Sequence, residues 1–279
     1  MNAESITCLN GIFLPAEEAR IPVADRGFRF GDGVFETIRL EAGVAYQWQL
    51  HLSRMFAGLA TLRITPPDIN WHAIARELIA RNQAKSGFLR ISVSRGSGSR
   101  GYLPDADITP TWIIEYLPPV DLPKKPFTLW LSATLRPPLA ALPVNHKLAH
   151  GIGSTLALLD ARDHGCEEAL MLSSEGMLCE TASANLFWVR GDTLFTPALS
   201  NGCLAGTTRA TILRLTPIAC REVSSELATL QSAEAVFISN TRLGIWPIAA
   251  LAPNGWKFDT QHHVIGELIA RLNADRASL

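Results

Sequence analysis

Pro118-Pro119-Val120-Asp121-Leu122-Pro123-Lys124-Lys125-Pro126 is the stretch on which the architecture turns. Four prolines in nine residues remove backbone donors and fix φ, so neither a helix nor a central strand runs through them, and such segments act as semi-rigid extended spacers. The break divides the chain into a small N-terminal α/β domain over 1–118, a linker over 119–126 and a larger C-terminal domain over 127–279. Upstream, Gly11 to Pro22 reads as a strand and turn, and Gly33-Val-Phe-Glu-Thr-Ile-Arg-Leu40 as a strand with loose alternation. Leu50, Met55, Leu59 and Leu62 fall near helical spacing, as do Ile74, Leu78 and Ile79, while Leu89 to Ser94 and Trp112 to Leu117 return to strand character. Downstream, a strand near Thr128 to Ala133 precedes a helix from about Gly151 to His164, ended by Gly165. Strands are expected at 168–172, 184–190 and 235–239, and helices at 207–215 and 262–275. The expected fold class is therefore mixed, α+β and α/β, in two domains.

Composition narrows the partners. The 279 residues are 47% hydrophobic and 18% charged, with 25 basic against 26 acidic residues, and no Lys/Arg run exceeds two. That balance disfavours nucleic acid and anionic membrane and points to a small-molecule ligand. Five scattered cysteines without a CxxC pair and seven dispersed histidines without HExxH argue against a disulfide framework and a metal site. The N-terminal stretch to Gly11 carries no basic region followed by an apolar run, so the expected compartment is the cytoplasm.

Chemistry concentrates at three places. Lys147 lies in the largely apolar Leu142-Pro-Val-Asn-His-Lys-Leu-Ala149 just before a helix. Such a setting strips water from an amine and frees it for imine chemistry, although a helix entrance also presents solvated lysines. Thirty-three residues on, Glu180 sits in Met177-Leu-Cys-Glu-Thr-Ala-Ser-Ala-Asn-Leu-Phe187, either an exposed strand-end charge or a carboxylate facing a cation, with Ser183 and Asn185 placed to brace the turn. Gly206-Thr-Thr-Arg209 opens a helix, where Thr207 and Thr208 are either a plain cap or donors for a dianion. A lysine, an acid and an anion cradle in that order are what pyridoxal 5′-phosphate requires. Two further cationic places are Arg54, one turn after His51, and Ser94-Arg-Gly-Ser-Gly-Ser-Arg-Gly-Tyr102, whose glycines fold the backbone tightly between Arg95 and Arg100.

With Asp25-Arg-Gly-Phe-Arg-Phe-Gly-Asp-Gly-Val-Phe-Glu-Thr37, His51-Leu-Ser-Arg54, and Ser239-Asn240 before Gly244-Ile-Trp-Pro247, these motifs run in order from about Leu9 to Ile248. The chain resembles the class IV aminotransferases, the fold-type IV pyridoxal phosphate enzymes related to D-amino acid aminotransferase. The resemblance implies two α/β domains with the cofactor between them, normally in a homodimer. It implies Lys147 as the Schiff-base lysine, Glu180 as partner of the pyridine nitrogen, Arg54, Thr207 and Thr208 around the phosphate, and Ser183 beside the cofactor. Thr37, where the branched-chain enzymes usually have glycine, resembles the catalytic threonine of the aminodeoxychorismate lyases, which split 4-amino-4-deoxychorismate into 4-aminobenzoate and pyruvate for folate synthesis. The 94–102 loop and Ser239-Asn240 also look like those lyases. Arg95, Arg100 and Asn240 are then expected at the substrate. An aminotransferase of D-amino acids, branched-chain amino acids or amines is the second expectation, and a non-catalytic binding protein of the same fold the third. One departure is His150-Gly-Ile-Gly153, where the family usually has a polar and then a bulky residue, leaving less side-chain bulk at the helix start.

Overall fold

The computed structural model describes residues 5–98 and 100–278, so Ser99 of the glycine-rich loop lies outside the described residues. The chain forms two compact units. The first runs to Asp121 and regains His146–His150, and the second comprises Leu122–Asn145 and Gly151–Ser278. This corrects the division drawn from the sequence, which placed Lys147 with the C-terminal residues.

The first unit is built from β1 (Ile6–Leu9), β2 (Ile12–Pro15), α1 (Arg26–Phe30), β3 (Gly33–Glu41), β4 (Val44–Ala45), α2 (Trp48–Thr61), α3 (Trp71–Arg81), β5 (Gly87–Ser94) and β6 (Thr111–Leu117). The strand and turn expected over 11–22 are β2 and the short 3-10 turn Ala16–Glu18, and β2 forms a hairpin with β1, which the sequence reading did not mark. Six strands pair in the order β2-β1-β6-β5-β3-β4, each antiparallel to its neighbour. Alternation along β3 turns Val34, Ile38 and Leu40 to a core shared with Leu52, Met55 and Leu59 of α2. Full burial of each such side chain is worth about 1.5–3 kcal/mol. β4 covers the edge of β3 only at Leu40 and Glu41. The rest is met by the returning segment: Phe35 N donates to Lys147 O at 3.0 Å, Ala149 N to Gly33 O at 2.9 Å, and Val34 bridges Leu148. An otherwise open strand edge thereby satisfies its backbone groups, which is why these five residues cluster with the first unit.

The second unit contains β7 (Phe127–Leu131), α4 (Ile152–Asp163), β8 (Glu168–Leu172), β9 (Leu178–Thr181), β10 (Asn185–Arg190), β11 (Thr193–Pro197), α5 (Thr207–Leu215), β12 (Ala219–Val223), β13 (Ala235–Asn240), β14 (Gly244–Ala252), β15 (Trp256–Lys257) and α6 (His263–Ala277). Its sheet runs β12-β11-β10-β13-β14-β7-β8-β9, and β9 pairs again with β10 through Glu180 and Asn185. Six strands, β10 to β9 along that path, thus close into a barrel filled by Leu129, Leu170, Leu186, Trp188, Val236, Ile238 and Ile248. Outside it, α5 and α6 pack Ile212, Val264, Ile265 and Leu268 against Phe187 and Phe237. Ala157 and Ala161 of α4 cover Ala169 and Met171. Among the described residues no helix is long and apolar enough to cross a membrane.

Candidate active site

In the first unit Lys147 places its Nζ 4.3 Å from the centre of the Phe35 ring. Phe35 and Thr37 share one face of β3, so the Thr37 side chain stands on the face that carries the lysine. Thr37 pairs in register with Arg90 of β5, whose guanidinium also lies over Phe35 at 4.3 Å, and Arg90 pairs with Glu115 of β6. The opposite face of β3 holds Glu36, fully buried. Its carboxylate accepts from His51 Nδ1 at 2.7 Å, from Arg54 Nε at 2.7 Å and from Arg54 Nη2 at 2.6 Å. Burial pushes the Glu36 carboxyl up, but hydrogen bonds and charges from His51 and Arg54 outweigh it and leave it below the ordinary range. Burial lowers His51 despite Glu36, with the charges of Arg54 and Lys147 acting in the same direction, so a neutral ring donates through Nδ1.

One sequence expectation fails in the glycine-rich loop. Arg95 gives Nε and Nη2 to Asp32 at 2.8 and 2.9 Å, and its remaining donors reach Arg63 O and Leu62 O, so it is a structural clamp rather than a substrate arginine. Asp32 is shared with buried Arg26, which also donates to Gly101 O and Tyr102 O at 2.7 Å. Arg100, also expected at the substrate, is exposed. Gly96, at φ +100°, could not carry a side chain, because a Cβ would fall 1.9 Å from Thr109 O. His150 is exposed and its backbone packs against Gly31, at 3.3 Å from where a Cβ would stand.

In the second unit Glu180, Asn185 and Ser239 face one another across β9, β10 and β13 and project to one side of the sheet. Glu180 is 5% exposed and ion-pairs through Oε1 with Arg136 Nη2 at 2.9 Å. Its Oε2 accepts from Leu204 N at 3.0 Å and Asn185 Nδ2 at 3.3 Å, and the same Asn185 nitrogen donates to Leu204 O at 2.8 Å. Asn185 therefore ties the acid to the turn that leads into α5. At the start of α5, Thr207 and Thr208 are buried, Gly206 is the cap residue, and no side chain caps the first-turn N–H groups. Ser183 donates to the buried Glu168, whose carboxyl burial raises, with the charge of Glu180 adding to the effect. Asn240 donates to Ser183 O at 3.2 Å and accepts from Leu243 N at 2.7 Å, so one end of its amide holds the turn before β10 and the other the turn after β13.

The amino-transferase class IV family profile matches residues 33–251, which include Thr37, Arg54, Lys147, Glu180, Thr207 and Ser239. The chain belongs to the amino-transferase class IV family. It is 30% identical over 269 residues to the aminodeoxychorismate lyase of Vibrio harveyi, covering 92% of this chain and 96% of that one. Among solved structures, the 4-amino-4-deoxychorismate lyase of Pseudomonas aeruginosa superposes with a TM-score of 0.82 at 29% identity, covering 96% and 98% of the two chains. The branched-chain amino acid aminotransferase of Escherichia coli superposes with a TM-score of 0.87 at 25% identity over 95% and 92%. Class IV enzymes have this fold-type IV architecture and depend on pyridoxal 5′-phosphate, and this chain is such an enzyme.

The residues fit that cofactor on their own chemistry. The uncapped N-terminus of the nine-residue α5 offers N–H groups and dipole to a phosphate. A Cβ at Gly206 would meet Asn185 Oδ1 at 2.0 Å, so the close approach of backbone to side chain there requires glycine. The buried Ser239 Oγ beside Asn185 has no hydrogen-bond partner among the described residues, as expected of a hydroxyl facing a ligand. Sequence reasoning missed Glu36, Arg90, Arg136 and Glu168. Glu36 had a signal, an acid at an inward position of a strand whose alternate positions are Val34, Ile38 and Leu40. Arg136 and Arg90 had none, since each acquires its meaning from a partner distant in sequence.

Proposed function

We propose that the protein is a pyridoxal 5′-phosphate-dependent 4-amino-4-deoxychorismate lyase. The observation that carries this reading is Thr37 on the β3 face that bears the Lys147 amine, a hydroxyl beside the base. When bound, the cofactor is an electron sink conjugated to the substrate nitrogen. Lys147 would hold the cofactor through its amine and, with that amine free, would take the ring proton from the carbon bearing the substrate nitrogen. Thr37 donates to the enolpyruvyl oxygen as its bond to the ring breaks, so that pyruvate leaves and the ring becomes the aromatic 4-aminobenzoate. Glu180, kept ionised by Arg136 and the Leu204 N–H, holds the pyridine nitrogen protonated. Thr207, Thr208 and Arg54 hold the phosphate, with Ser183 beside the ring. Arg90, opposite Thr37, takes the carboxylate role expected of Arg95.

The reading extends to a cytoplasmic homodimer working in folate synthesis. Five free cysteines are what a reducing compartment keeps, and exposed Val23, Phe28, Ile152 and Leu156 are apolar surface of the kind a second copy covers. The test is a parallel assay of purified enzyme for 4-aminobenzoate released from aminodeoxychorismate and for keto acid formed from D- and L-amino acids. Release of 4-aminobenzoate without accumulation of the pyridoxamine form is expected. Keto-acid formation with no 4-aminobenzoate would make the enzyme an aminotransferase, the reading that the Escherichia coli relative favours.

A further inference from the structure

We infer that Glu36 is a positioning residue that aims Arg54 at the cofactor phosphate, with His51 as the strut that holds Glu36 itself. The inference rests on the assignment of Arg54 to the phosphate, and it concerns a buried acid that the chemistry above leaves without a task.

The geometry is specific. Arg54 presents the side-on edge of its guanidinium, Nε and Nη2, to the two oxygens of Glu36, at 2.7 and 2.6 Å. A two-point contact between planar groups fixes the plane and the direction of the arginine, which a single hydrogen bond does not. Glu36 is fixed in its turn from three sides. It sits on β3 opposite Ile91 of β5, it is fully buried, and His51 Nδ1 donates to its Oε2 at 2.7 Å. His51 and Arg54 are three residues apart on α2, so one helical turn meets one carboxylate with both side chains. An arginine on a surface helix samples many rotamers. This one, 10% exposed and forked, is spared most of that entropy on meeting an anion. Groups behind a ligand contribute to affinity in this manner at metal sites, where their loss costs roughly tenfold to a hundredfold.

A positioning role predicts a loss confined to the phosphate. Full-length protein stripped of cofactor is titrated with pyridoxal 5′-phosphate and with pyridoxal, which lacks the phosphate, and the ratio of the two dissociation constants is compared among wild type, Arg54→Gln, Glu36→Gln and Glu36→Asp. Both ligands make the same bond to Lys147, so the ratio isolates the phosphate. Arg54→Gln is expected to lower the preference for the phosphorylated form, and Glu36→Gln to lower it about tenfold or more. Glu36→Asp keeps the charge on a shorter arm and covers the case in which the Gln variant fails to fold, with a smaller drop expected. Should Arg54→Gln leave the ratio unchanged, the assignment of Arg54 to the phosphate fails and the inference goes with it. Should Arg54→Gln lower the ratio while the Glu36 variants weaken both ligands equally or neither, the inference alone is overturned and Glu36 is a fold-stabilising acid. As a second readout, the 31P resonance of the holoenzyme phosphate is expected to move in the Glu36 variants, and an unmoved resonance would likewise overturn the inference.

Discussion

Glu36 in the first unit and Glu168 in the second are both buried carboxyls beside residues of the candidate site, yet their surroundings drive them in opposite directions. Glu36 meets two basic side chains and is held below the ordinary carboxyl range. Glu168 meets a serine hydroxyl and backbone N–H groups, with a second acid, Glu180, near it, and burial raises it. Arg136, the cation in that region, is paired with Glu180. The difference teaches that burial alone does not set a carboxyl's charge: two basic side chains hold Glu36 toward its ionised form, while Glu168, bonded to a hydroxyl and backbone N–H groups, is shifted toward its protonated form. Two buried acids near one another favour unequal ionisation, because ionising both sets like charges side by side.

Lys147→Ala is the most severe change expected, since it removes the amine assigned to the cofactor. Activity should fall by at least about a thousandfold, and borohydride should trap no cofactor on the chain. A reduced covalent adduct in that variant would show that another amine does the work. The comparison itself is tested by the pair Glu36→Gln and Glu168→Gln in urea titrations near neutral pH. The first strands the Arg54 cation and should cost about 3–5 kcal/mol, while the second replaces a group whose ionised form burial already disfavours and should cost about 1 kcal/mol or less. Equal costs would break the contrast. Gly206→Ala puts a methyl where Asn185 Oδ1 stands and should cost about 1–3 kcal/mol, with a lower melting temperature and faster loss of cofactor on dilution.

The smallest effect is in the pH dependence, where the two acids carry opposite signs. Glu36, lowered on folding, contributes stability that is complete above the ordinary glutamate pKa and is lost as pH falls through its folded value, so the penalty of Glu36→Gln should shrink in acid. Glu168, raised on folding, contributes stability that is complete below the ordinary value and is lost as pH rises through its folded value. Glu168→Gln should accordingly gain on wild type as pH rises. Urea midpoints measured from pH 4 to 8 check both slopes, and the same sign for the two variants would refute the assignment.

Local pattern carried much of the fold. The alternation of Val34, Ile38 and Leu40 marks β3, and the helical spacing in 48–61 and 71–81 marks α2 and α3, because each of these elements buries one face. β14 was not legible. Pro247 interrupts Gly244–Ala252, and a proline normally argues against a central strand, yet here β14 lies between β13 and β7 and its register slips between Ile248 and Ala250. The four-residue β9, which carries Glu180, is too short to show a period. At the site, the residue types at 147, 180, 207 and 208 could be read from the chain. Their partners could not: Glu36 finds Arg54 eighteen residues on, and Asn185 finds Leu204 nineteen residues on, and no spacing rule encodes contacts made by folding. Arg95 shows the converse error, a cation in an anion-like loop whose donors the fold had already committed to Asp32.

The strip that pairs with the open edge of β3 also dictates an order of assembly. It arrives only after the 24 residues Leu122–Asn145, which belong to the other unit, have been made. A nascent chain cut at Asp121 would carry half of β3 bare, a template for sticking to other chains, and a synthetic peptide spanning residues 144–151 should rescue such a fragment from precipitation. Lys147, the lysine we assign to the cofactor, is thus also the last stitch of the first unit, so a chain that has not closed this seam has no fixed amine to offer.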